Sequence, residues 1–130
     1  MAKLVKMNGT EKPDIMTIEW SSENRPVYAA INANITSSND ENGEVYYWDA
    51  LVLPDYTLSN IHNADKDMKY KVLTIHILRS YYDDNDATAV LSNYISNPDN
   101  EKYKKEFDEL QNCRKLAKTL ANNIIENNIF

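Results

Sequence analysis

The chain has 130 residues, 42% hydrophobic and 26% charged, the balance of one globular domain with a single core, which excludes a disordered segment. Its net charge of −6 argues against nucleic acid as a partner, because displacing counterions from phosphates takes clustered Lys and Arg. The lone cysteine, Cys113, excludes an intrachain disulfide, and two glycines in the whole chain leave little material for a phosphate-cradling loop.

The opening MAKLVKMNG reads as a short strand closed by an Asn8-Gly9 turn. It lacks the apolar centre of a signal peptide, and no apolar run reaches the roughly 18 residues that cross a bilayer. The expectation is therefore a cytoplasmic protein with no membrane partner. Asn8-Gly-Thr and Asn34-Ile-Thr match the glycosylation pattern, which carries no meaning without export. DIMTIEW alternates, with Met16, Ile18 and Trp20 on its apolar side. VYAAINANIT alternates again, with Val27, Ala29, Ile31, Ala33 and Ile35 on one side. SSNDENG breaks the pattern and predicts an open hairpin around Asn42-Gly43, since both residues accept positive φ. EVYYWDALVLP resumes it: Val45, Tyr47, Asp49, Leu51 and Leu53 face one way, Tyr46, Trp48, Ala50 and Val52 the other. Pro54 ends the strand, having no N–H for a ladder.

The period then changes. From about Lys66 to Ser80, Val72, Ile75, Leu78 and Tyr82 fall at helical spacing, although Val72 to Leu78 is strand-like by composition. A short helix follows, with Ala87, Val90, Leu91 and Tyr94 on one side, and it stops before Pro98. From Asn100 to Asn127, Tyr103, Phe107, Leu110, Cys113, Ala117, Leu120 and Ile124 recur every three or four residues, predicting a helix about 40 Å long. Asp99 or Asn100 can cap it, and Glu101–Lys105 and Lys102–Glu106 are spaced to pair on its surface. A strict heptad frame would put Arg114 in the seam, so this helix packs first on its own body. Together these elements predict an α+β fold, one domain over 1–130. Residues 1–56 form an antiparallel β-meander, packed on three helices in 57–130, the last one long.

No catalytic constellation stands out. In YYDDND, a calcium loop counted from Asp84 would place Ala89 where glycine is needed and Ile95 where glutamate is needed. Capping by Asp83 or Asp84, with Asp86 near the positive helix end, fits instead. His62 and His76 have no metal-ligand spacing. His62 reads as a solvated loop residue and His76 as a helix-face residue. Cys113 lies on the apolar stripe of the last helix, where packing rather than thiolate chemistry is expected. Glu19 with Glu23, or Asp49 with Asp55, could be proposed as an acid pair, but surface carboxylates are the default and nothing selects these. The readings are no metal, no cofactor and no enzyme. What remains is aromatic: Trp20, Tyr28, Tyr46, Tyr47, Trp48 and Tyr56 gather in the β-rich part. Exposed tyrosine and tryptophan are typical of contact surfaces, so these six are the candidate partner-binding residues. Carbohydrate stacking is left open.

The stretch from Val72 to Ala121 resembles a pattern found in small phage and prophage proteins. Its carriers are an Arg-x-x-Tyr-like turn at Arg79, Ser80, Tyr81 and Tyr82, an acidic cap, Asn93-Tyr94, and a string of Tyr103, Phe107, Leu110, Gln111, Arg114, Ala117 and Lys118. Cys113 stands where that pattern has tryptophan. The resemblance implies a virion-associated or tail-fibre-associated protein bound to tail, fibre or capsid components, with self-association as a further possibility. The alternatives are a tail-fibre assembly chaperone and an acidic inhibitor of a host defence protein. It implies no catalytic residues. The expected location is the virion or the cytoplasm of the infected host.

Overall fold

The computed structural model describes residues 3–130. Four strands come first: β1 (Lys3–Gly9), β2 (Met16–Trp20), β3 (Pro26–Asp40) and β4 (Gly43–Val52). Four helices follow: α1 (Asp55–Ile61), α2 (Lys66–Tyr81), α3 (Asp84–Ser96) and α4 (Glu101–Glu126). This is an α+β fold with an antiparallel sheet ahead of helices, the last of them long.

The sheet order is β1-β4-β3-β2. β2, β3 and β4 form the expected meander, while β1 lies outside it against β4, with Leu4 opposite Leu51 and Met7 opposite Trp48. Asn8 and Gly9 therefore do not turn; they extend the strand opposite Tyr47 and Tyr46. The β3–β4 connection also corrects the open hairpin. Strand pairing continues to Asp40 opposite Gly43, leaving Glu41 and Asn42 as a two-residue turn. Gly43 takes φ +116° there, and Asp40 Oδ1 accepts from the Asn42 N–H at 2.8 Å. The polar run SSND reads as a break only because that end of the hairpin is exposed on both faces, so no apolar alternation is required of it.

β3 carries one more irregularity. Ala33 pairs with Asp49 and Thr36 with Tyr47, so Asn34 and Ile35 together oppose Trp48. Asn34 sits at φ +53°, the left-handed conformation that opens this kind of bulge and that Asn tolerates. From Ala33 onward, β3 has β4 alone as its strand neighbour.

Alternation decides which face is covered. Leu4, Leu51, Ile31 and Met16 form one row straight across the sheet, and the last three are buried. With Ala29, Ala33 and Leu53 they meet Leu58 and Ile61 of α1, Leu73 and Ile77 of α2, and Ala117, Ala121 and Ile124 of α4. Each large side chain so buried contributes about 1.5–3 kcal/mol of hydrophobic stabilisation before entropy is counted. The small residues Ala117 and Ala121 let α4 approach closely. Ala30 and Ala50 point the other way and are buried too, but they lie outside this core.

The three expected helices are present, with α1 as an addition ahead of them. Pro54 both ends the sheet and stands at the N-cap of α1. Asp65 caps α2 by accepting from the Met68 N–H, Asp83 caps α3 by accepting from Asp86, and Asn100 caps α4 by accepting from Tyr103. α4 buries its C-terminal half in the core through Ala117, Ala121 and Ile124, and Leu110 is buried nearer its start. Its first turns hold α3, where Tyr94 and Phe107 stack at 4.1 Å between ring centroids. No residue of α3 is fully buried. Among the described residues the ion pairs are Lys6–Asp49 and Arg79–Asp84; the spaced pairs Glu101–Lys105 and Lys102–Glu106 do not close.

Candidate functional site

A charged residue on the apolar side of a strand needs an explanation, and β4 has one. Asp49 shares its face with Leu51 and is 4% exposed. Three donors converge on it. Lys6, directly opposite on β1, bonds Oδ1. The Tyr81 hydroxyl donates to Oδ2 at 2.6 Å and the Asn34 amide to Oδ2 at 3.0 Å. Asn34 also donates to the Tyr81 oxygen at 2.9 Å. The β3 bulge thus delivers Asn34, the last turn of α2 delivers Tyr81, and strand register delivers Lys6.

Burial by itself raises the Asp49 carboxyl, but the bonds from Lys6, Tyr81 and Asn34 outweigh it and hold the group below its ordinary range. The same contact, with burial as the larger cause, pushes the Tyr81 phenol well above its ordinary value. At neutral pH the pair is a fixed carboxylate and a fixed phenol. Two cavities flank the cluster and share Asn34. One, of about 300 Å³, is bounded by Lys6, Met7, Asn8, Thr36, Tyr47, Trp48 and Asp49. The other, of about 390 Å³, is bounded by Tyr81, Tyr82, Asn112, Cys113 and Leu116. Burial raises the Cys113 thiol, which keeps it protonated and poorly nucleophilic.

The six candidate aromatics do not form one surface. Strand pairing sets Tyr28, Tyr46 and Trp48 on the side of the sheet away from the helical core, all half-buried. Trp48 lies over Gly9, where a Cβ would meet the indole at 3.3 Å, and Met7 stands opposite it, 43% exposed. Val5 and Val52 complete an apolar strip around the buried Ala50. Tyr47 points to the other side, into the cavity beside Asp49. Trp20 ends β2 with its ring edge-on to His62 at 5.3 Å. Tyr56 projects from α1, 60% exposed.

Of the two histidines, one departs from expectation, while His76 lies on α2 as expected. His62 is not a solvated loop residue; it is half-buried between Trp20 and Phe130, and its Nδ1 is buried without a partner among the described residues. His76 is buried, with Nε2 3.1 Å from the Thr57 hydroxyl and Nδ1 without a partner among the described residues. Burial lowers its pKa. Asp83 acts as a cap and Asp84 pairs with Arg79, so the acidic run is structural. Of the two acid pairs, Asp49 is buried in its cluster while Asp55 sits in the first turn of α1. Sequence reasoning passed over Lys6, Asn34 and Tyr81 as a group. The legible signal was Asp49, an acid in register with Leu51 and Leu53.

No helix among the described residues is long and apolar enough to cross a membrane. No family model matches the chain, and neither does any curated protein or any solved structure.

Proposed function

We propose that this chain is a non-enzymatic binding protein of phage assembly, which docks a tail, fibre or capsid protein on the open face of its sheet. The observation that carries the reading is the strip of Met7, Trp48, Val5 and Val52 on a side of the sheet that contributes nothing to the helical core. Trp48 is held against Gly9 before any partner arrives, so it loses little freedom on binding, and a preset aromatic ring beside a flexible Met is the usual composition of an interface hot spot. The phage setting rests on the resemblance of the segment from Val72 to Ala121.

The test is co-sedimentation of the purified protein with tail, fibre and capsid fractions of the phage whose genome encodes it. Trp48→Ala and Met7→Asp are expected to weaken binding tenfold or more, while Met68→Ser on the exposed side of α2 leaves it unchanged. Equal binding by all three variants overturns the proposed face. Mass spectrometry of purified particles separates a virion component, present in many copies, from an assembly chaperone, absent from them.

A further inference from the structure

The cavity beside Asp49 shares Met7 and Trp48 with the edge of the proposed docking face, but its polar groups belong to the other side of the sheet and have their own chemistry. The carboxylate and the Lys6 ammonium touch, so the site carries one charge of each sign and no net charge. Neither group is exhausted by the other. An ammonium has three donors, and Lys6, whose side chain is 78% exposed, spends one on Asp49. The Asn34 amide spends its N–H groups on Asp49 and Tyr81, leaving its carbonyl oxygen as an acceptor. Asn8, Thr36 and Tyr47 border the same space and make no side-chain hydrogen bond to another described residue. Donors and acceptors therefore alternate around a cleft of about 300 Å³, at the small end of ligand pockets. The Tyr47 ring, 47% exposed, supplies a flat apolar wall.

Each class of ligand meets this set differently. An anion is repelled by a carboxylate that its three donors keep ionised. A cation must displace or crowd Lys6. An apolar molecule would strip water from Lys6, Asn8 and Thr36 and return no hydrogen bond. A neutral molecule bearing several hydroxyls, each both donor and acceptor, satisfies the whole set and can lay its C–H face on Tyr47. We propose that the cleft bounded by Lys6, Asn8, Asn34, Thr36, Tyr47 and Asp49 binds one neutral sugar residue, free or at the end of a longer glycan.

The experiment is a titration of the isotope-labelled full chain, followed by amide NMR, with glucose, galactose and N-acetylglucosamine. Glucosamine and glucuronate serve as charged counterparts, and lactose and chitobiose as short glycans. Expected are saturable shifts at Asn8, Asn34 and Thr36 with at least one neutral monosaccharide, and affinity at least fivefold weaker for the charged counterparts. Tyr47→Ala and Thr36→Val, both at exposed positions, each weaken binding tenfold or more while the rest of the spectrum stays in place. A disaccharide that binds more tightly than its terminal monosaccharide marks a glycan end as the ligand; equal affinity marks the free sugar. The proposal is overturned if none of the three neutral sugars shifts these residues, if the charged sugars bind as well, or if Tyr47→Ala has no effect.

Discussion

The Tyr81 hydroxyl donates to the Asp49 carboxylate at 2.6 Å, so the last turn of α2 is fastened to β4 by a charge-assisted bond in a largely buried setting. Hydrogen bonds to charged groups are worth about 1.5–3 kcal/mol, and Tyr81→Phe is expected to cost that much. Asp49→Ala is expected to cost more, because it strands Tyr81 and Asn34 as well as Lys6. Lys6→Met is the mildest of the three: its side chain lies mostly in solvent, and the carboxylate keeps two donors. Urea unfolding with an unchanged m-value measures all three. A Lys6→Met cost larger than that of Tyr81→Phe would show that the cluster is held by its exposed end.

His76 makes stability depend on pH in a defined direction. Its folded pKa is held below the ordinary 6.5 by burial, so the unfolded chain binds the proton more readily. The stabilisation from neutral His76 is full above about 6.5 and is lost as pH falls below that value. The melting temperature of the wild type is expected to drop between about pH 7.5 and pH 5, as expected for a histidine held neutral by burial. His76→Gln should flatten that slope. Asp49, also lowered, has the same sign, but its loss begins only near the ordinary carboxyl value of 3.8, so the two contributions separate along the pH axis. An unchanged slope in His76→Gln would assign the effect to another group.

α3 is expected to open independently of the rest. It has no fully buried residue and rests on the first turns of α4 through the Tyr94–Phe107 stack. Removing its cap with Asp83→Ala should cost about 1 kcal/mol. By hydrogen exchange the loss of protection should fall on residues 84–96 and spare α4 around Ala117 and Ile124. Equal loss across α2 and the sheet would mean that α3 is part of the cooperative core.

Legibility in the sequence followed the strength of the local pattern. α4 was plain because its apolar residues recur over seven turns, and β4 because one face of it, Tyr46, Trp48, Ala50 and Val52, is apolar without a break. α1 was missed because seven residues are too few to display a period, although Pro54 followed by Asp55, Leu58 and Ile61 carries the chemistry of a helix start. The pairing of β1 with β4 is a long-range choice, and nothing within Lys3–Gly9 distinguishes one edge of the meander from the other. The two-residue turn at Glu41-Asn42 was masked by polar residues that need no alternation because both their faces are wet. The Asp49 cluster draws on β1, β3, β4 and α2, so only its anomaly was visible in the chain, an acid where the pattern demands an apolar side chain.

The stretch of β3 beyond Ala33 leaves one row of peptide groups without a strand beside it, which is the template on which copies of a chain stack edge to edge into fibrils. Here the bulge at Asn34 twists that row out of line, and Ser37, Ser38, Asn39 and Asp40 give an incoming strand no apolar side chains to clasp. The overhang thereby resists edge-to-edge pairing, and replacing its polar tip with valines is expected to turn the same backbone into a nucleus for aggregation.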